Sequence, residues 1–98
     1  MVRLGTGSRH GATLSGPAVT SADPSGVGML WVVVRGIDQR IHVNHYDDIP
    51  GMGWSGWALV DSAGKTPVAP AAAARGFGVD IFVRGHDERL YYILHHPF

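Results

Sequence analysis

The chain has 98 residues, 45% of them hydrophobic and 16% charged, with eight basic against eight acidic side chains, so one small domain is the ceiling. The basic residues are scattered, which leaves no electrostatic footprint for a phosphate backbone and makes nucleic acid an unexpected partner. Absence of Cys removes disulfide frameworks, thiolate metal sites and thiol nucleophiles together.

From the N-terminus, Met1 to Gly16 is rich in Gly, Ser and Thr and lacks the apolar core of a secretory signal. Cytoplasmic synthesis without a signal peptide is expected, with release by a non-classical route left open. The first strands are expected at Ala18 to Ala22, Met29 to Arg35, Arg40 to Tyr46 and Gly53 to Leu59. Asp23-Pro24-Ser25-Gly26, Gly36-Ile37-Asp38-Gln39 and Asp47-Asp48-Ile49-Pro50-Gly51 between them carry turn chemistry. Leu30 to Val34 is continuously apolar, as in a strand covered on both faces. The longest apolar run, Met29 to Val34, is far short of the roughly 20 residues of a membrane span, so no membrane insertion is expected. Further strands are expected at Val68 to Ala72, Val79 to Arg84 and Arg89 to His95. Ala71 to Ala74 is the one stretch with helical propensity and reads as a strand end and turn.

These elements repeat. Val34-Arg35-Gly36-Ile37-Asp38-Gln39-Arg40-Ile41 recurs as Val83-Arg84-Gly85-His86-Asp87-Glu88-Arg89-Leu90, a period of 84 − 35 = 49. Upstream, Pro17 matches Pro67 and Gly26-Val27-Gly28 matches Gly76-Phe77-Gly78, a period of 67 − 17 = 50, so one residue has been lost between the anchors. The chain divides into a segment 1–16, a first repeat 17–65 and a second repeat 66–98 that lacks a last strand. Antiparallel units of this length are the signature of a β-propeller, each unit a blade. The expected fold is therefore all-β, with two four-stranded antiparallel blades per chain and the ring completed by copies of the chain. A homotrimer is favoured over a tetramer, and Met1 to Leu14 is expected to lend the outer strand to a neighbour's second blade.

The pattern Gly16-Pro17-Ala18-Val19, then Val32-Val33-Val34-Arg35-Gly36-x-Asp38-x-x-Ile41, then Gly53-Trp54-Ser55-Gly56-Trp57-Ala58-Leu59 resembles the blade consensus of bacterial β-propeller lectins of the Photorhabdus lectin type. More distantly it is similar to fucose-binding propellers, some built from two-blade chains that trimerise. His42 and Tyr91 stand where such blades often carry Trp. The resemblance implies a multivalent, non-enzymatic sugar-binding protein whose partners are glycans with fucose, or a related and in some cases O-methylated sugar, held in pockets between blades.

Lectin pockets set an aromatic face against the C–H face of a pyranose while polar groups hold its hydroxyls. One site is expected from Trp54 or Trp57 with Tyr46 and Arg35, and a second from Arg84 and Tyr92. Trp54 and Trp57, three apart on a regular strand, would face opposite sides. Asp38 and Asp87 read more simply as turn residues bonded to backbone N–H groups. His42 and His45, and likewise His95 and His96, diverge on a strand, so no metal site and no cofactor are expected. A structural or protein-interaction propeller and, more remotely, a glycosidase stand as alternatives.

Overall fold

The computed structural model describes residues 16–22, 28–60 and 64–96. Among them the chain is all-β, in two antiparallel sheets. The first contains β1 (Ala18–Ala22), β2 (Met29–Arg35) and β3 (Ile41–Asp47), followed by the short β4 (Gly53–Trp54) and β5 (Ala58–Leu59), both paired with β3. The second is β6 (Ala71–Arg75), β7 (Gly78–Arg84) and β8 (Leu90–His95) in that order. The exchanged strand expected of Met1 to Leu14 lies outside the described residues.

Two expectations need correction. Ala71 to Ala74 is neither a strand end nor a turn; it forms most of β6, three residues later than expected, because the reversal falls at Gly76-Phe77, where Arg75 pairs with Gly78. Gly76 supplies the positive φ of 54° that this two-residue turn requires. Gly53 to Leu59 is not one strand. Trp54 pairs with Tyr46, but Ala58 pairs with Val43, so the count slips by one residue between β4 and β5. The side chain of Asn44, fully buried, fills the gap: its Oδ1 accepts from Gly56 N–H at 3.0 Å and from Ser55 Oγ at 3.2 Å.

The duplication is visible as hydrogen bonds. Gly36 N–H donates to Arg40 O at 2.9 Å and Gly85 N–H to Arg89 O at 2.8 Å. Gln39 N–H donates to Gly36 O at 2.9 Å and Glu88 N–H to Gly85 O at 3.0 Å. Gln39 and Glu88 both take left-handed φ, 65° and 66°. Each is a three-residue hairpin loop, a β-turn followed by a left-handed residue.

The sheets meet across a shared core. Met29, Trp31, Val33, Ile41 and Val43 of the first pack with Val79, Ile81 and Val83 of the second, and Val60 joins them. Trp31, Val33, Ile41, Val79 and Ile81 are wholly removed from solvent. Ala74 N–H donates to Thr20 Oγ1 at 3.0 Å, a direct tie between the sheets. The linker adds another, because Thr66 N–H donates to Gln39 O at 2.8 Å while the Thr66 hydroxyl donates to Arg84 O at 3.0 Å. Both turns therefore lie at the end of the molecule held by Thr66.

Alternation along the strands decides which faces meet. Seven residues, Met29 to Arg35, separate Gly28 from Gly36, whereas only six, Val79 to Arg84, separate Gly78 from Gly85. With a side-chain period of two, losing one residue reverses the face that the turn sees. Numbered from the turns, the first sheet buries its front, carrying Trp31, Val33 and Val43, and the second buries its back, carrying Val79, Ile81 and Val83 with Ile93 packed against them. The contact is front to back.

Candidate functional site

At the Thr66 end, a cleft of about 660 Å³ is bounded by Gly64 and Lys65 of the linker, by Gly85, His86 and Asp87 of the second turn, and by Val83, Tyr91, Tyr92 and Ile93. Its apolar floor is Val83 and Ile93, and its polar groups are the exposed side chains of Lys65, His86 and Asp87. Lys65 is held there because it pairs with Arg40 of the first turn. One wall thus belongs to the linker and the other to the second sheet.

Asp87 is fixed from both sides. Its Oδ1 accepts from Arg89 N–H at 3.0 Å and its Oδ2 from the Tyr91 hydroxyl. The Tyr91 phenol and then the Arg89 N–H stabilise the charged form and hold the carboxyl below its ordinary range. The same bond pushes the Tyr91 phenol up. Asp87 is therefore an ionised acceptor at neutral pH, with the phenol ring beside it. Gly85 makes this possible, since a Cβ there would stand 2.7 Å from Tyr91 Cε2 and 2.8 Å from Asp87 Oδ1. The turn reading of Asp38 and Asp87 is met, because each bonds the backbone N–H two residues on; in addition each carboxylate reaches a ring on the following strand.

The six residues expected at sugar sites fall in three places. Tyr46 and Trp54 meet edge to face at 5.3 Å between ring centroids, on the back of the first sheet. Trp57 joins them there by register, contrary to the opposite-face expectation, because the slip at Asn44 restores its phase: it counts back from Ala58 to the position opposite Asn44. Its buried Nε1 has no acceptor among the described residues. Arg35 does not join this group. It is paired with Ile41 on the front and at the turn end, whereas Tyr46 is paired with Leu30, and its Nη1 donates to Thr66 O at 3.3 Å.

Arg84 and Tyr92 do share a face, the exposed front of the second sheet, at neighbouring register positions. Tyr92 is bonded there into a network in which its hydroxyl donates to Asp80 Oδ1 at 3.1 Å and accepts from Arg75 Nη2 at 2.9 Å. Arg75 Nε also donates to Asp80 Oδ2 at 3.0 Å. Burial, and then the bond to Asp80, pushes the Tyr92 phenol up. Of the expected residues Tyr92 alone also lines the cleft. Lys65, His86 and Tyr91 were not expected there; the recurrence of Arg-Gly-x-Asp followed by a ring residue two positions after the second Arg was the signal for Tyr91.

At the opposite end of the interface Trp31 is clamped between rings, 4.7 Å from His45 and 5.7 Å from His95. His45 Nε2 also lies 3.4 Å from Asp47 Oδ2. Burial, and then the neighbouring His45 and His96, hold the His95 imidazole below its ordinary value. Among the described residues no group of three or more His, Asp or Glu is placed to hold a metal ion, and no helix is long and apolar enough to cross a membrane. Comparison with protein-family models, curated proteins and solved structures finds no match to the chain.

Proposed function

We propose that the protein is a carbohydrate-binding lectin of propeller type, a binder and not a catalyst, assembled from several identical chains and similar to the Photorhabdus-type lectins. The observation that carries this reading is the cleft at the second turn, where an oriented carboxylate, a phenol ring and an ammonium group converge over an apolar floor. Asp87 accepts from sugar hydroxyls, Lys65 donates to them, and the Tyr91 ring and Val83 offer the apolar surface that a pyranose C–H face needs.

The front-to-back contact favours a propeller over a sandwich of two-fold related sheets, which would pair like faces. It is a head-to-tail contact, and repetition with rotation closes it into a ring. Among the described residues the complementary halves stand open: the front of the second sheet exposes Leu90, Tyr92 and Leu94, and the back of the first exposes Val19 and Tyr46. Apolar groups so grouped mark an interaction surface. Three chains give six blades and four give eight, both within the usual range of about 4 to 8; the trimer is favoured. A single monosaccharide site is weak, and a ring of them gains strength through avidity.

The test is retention on immobilised fucose, O-methylfucose, galactose and mannose, together with native mass. Binding by a trimer or tetramer is expected, with Asp87→Asn and Gly85→Ala each lowering retention at least tenfold. Turnover of chromogenic glycosides would favour the glycosidase, and an assembled ring that ignores every sugar would favour the structural propeller.

A further inference from the structure

The described part of the chain is electrically polar from end to end. It holds six basic residues, and five of them, Arg35, Arg40, Lys65, Arg84 and Arg89, stand at the turns or the linker, against three acids there, Asp38, Asp87 and Glu88. Toward the other end Arg75 is set against Asp47, Asp48 and Asp80. The bases are scattered in sequence and the fold gathers them: five bases against three acids give the turn end a net charge of +2, and one base against three acids gives the far end −2.

The cleft lies at the basic end, and Asp87 and Lys65 in it are differently employed. Each Asp87 oxygen already accepts one bond, from Arg89 N–H or from the Tyr91 hydroxyl, and keeps one acceptor position. Lys65 is exposed and, among the described residues, forms no ion pair with Asp87 or with any other carboxylate. Its pairing with Arg40, and the bond of Thr66 N–H to Gln39 O at 2.8 Å, fix the linker as the wall opposite Asp87. Ammonium and carboxylate are thus held apart, and neither cancels the other. A neutral sugar satisfies the carboxylate through its hydroxyls and gives the ammonium no counter-charge. An anionic sugar satisfies both when its charge lies on the ring edge away from Asp87, since two anions side by side repel.

We infer that the cleft selects saccharides with an anionic group on one edge of the pyranose ring and free hydroxyls on the other, Lys65 pairing with the anion and Asp87 accepting from the hydroxyls. Uronates and sulfate esters share this chemistry. A charge-assisted bond from Lys65 is stronger than the same bond to a neutral hydroxyl, so the anion adds binding that a plain sugar lacks. A net charge of +2 is too small to follow a phosphate backbone, which favours a small acidic sugar over a nucleic acid. The inference rests on the lectin reading above and narrows its ligand.

Titration of the full chain followed by NMR compares galactose with galacturonate and with galactose 6-sulfate, which differ from it only at C6. At low salt the better of the two acids is expected to bind about fivefold more tightly than galactose, and their order tells a carboxylate site from a sulfate site. The ratio is expected to shrink toward one in about 0.5 M salt, because an exposed pair is screened. Lys65→Gln, which keeps a donor and loses the charge, is expected to abolish the ratio, and Lys65→Arg to keep it; melting curves check both folds. A ratio near one in the unchanged chain, or one that survives Lys65→Gln, overturns the inference and leaves the lectin reading standing. Inorganic sulfate that binds as tightly as galactose 6-sulfate overturns it too, by showing an anion site with no need of the sugar. Tighter binding of a DNA oligomer than of either acid overturns it in favour of nucleic acid. No binding of any sugar overturns the inference and the lectin reading together.

Discussion

The first and second sheets fold the same loop with the same bonds and then use opposite faces. The front of the first sheet is the best-buried surface of the described chain, with Trp31 and Val33 fully enclosed. On the front of the second, the residue matching Trp31 by the turn period is Asp80, tied to Arg75 and Tyr92, and the residue matching Val33 is the half-buried Phe82. One front is a finished core; the other is amphipathic, apolar in its rings and polar in its network. A surface of that kind stands in water and still offers an apolar face to a partner. The difference teaches that the repeat duplicates loop geometry faithfully while the strand faces diverge according to what covers them within one chain.

The largest effect that can break this comparison is removal of Trp31. Trp31→Ala empties a fully buried site lined by His45 and His95. It is expected to cost about 3–5 kcal/mol, a large share of the roughly 5–15 kcal/mol that holds a small domain folded. Phe82→Ala, on the exposed front of the second sheet, is expected to cost well under half as much and to act chiefly on association. Urea denaturation read by tryptophan fluorescence, with native mass alongside, separates the two. Equal losses in the two variants would mean that the second front is core already.

Much of this was legible before any coordinates. The continuous apolar run of β2 and the recurrence of Val-Arg-Gly-x-Asp-x-Arg locate both central hairpins, because hydrophobic pattern and turn chemistry agree there. The bounds of β6 are not legible, because four alanines carry no alternation to set a register and a two-residue turn makes the choice. The break between β4 and β5 was hidden for another reason: it is made by the Asn44 side chain on an adjacent strand, a tertiary contact that spacing cannot reveal. The make-up of the cleft is hidden on the same ground. Lys65 reaches the second turn through its pairing with Arg40, a contact between the repeats, whereas the opposite facing of Arg35 and Tyr46 follows from alternation along β2 and β3 and is legible in the sequence.

Acid sharpens the comparison from inside the interface. His95 titrates below the ordinary histidine value in the folded chain, so the unfolded chain binds the extra proton first. Stability from this residue is fully present above the unfolded value of about 6.5 and is lost as pH falls through it toward the folded one. His95 packs edge-on against the Trp31 ring, so positive charge arriving on its imidazole enters the sheet contact itself. Thermal melts are expected to fall between pH 7 and 5 in the unchanged chain and to fall less in His95→Phe. An identical slope in the variant would remove His95 as the cause.

The smallest effect bears on the feature the two sheets share. Gln39 and Glu88 occupy the left-handed position that follows the β-turn in each loop, at φ 65° and 66°, and hairpins of this type normally place Gly there. A side chain in that region costs about 1–2 kcal/mol through the approach of Cβ to the backbone. Replacement by Gly relieves the cost but gives the unfolded chain about 0.5–1 kcal/mol of additional freedom. Gln39→Gly and Glu88→Gly are each expected to stabilise by the difference, roughly 0.5–1 kcal/mol. Their φ values and hydrogen bonds match closely, so the gains should match too and should add in the double variant, the loops being separate. Denaturant midpoints measure this. A clear gain at one turn and none at the other would show that the loops, alike in geometry, carry different strain, with the tie of Thr66 to Gln39 O as the first suspect.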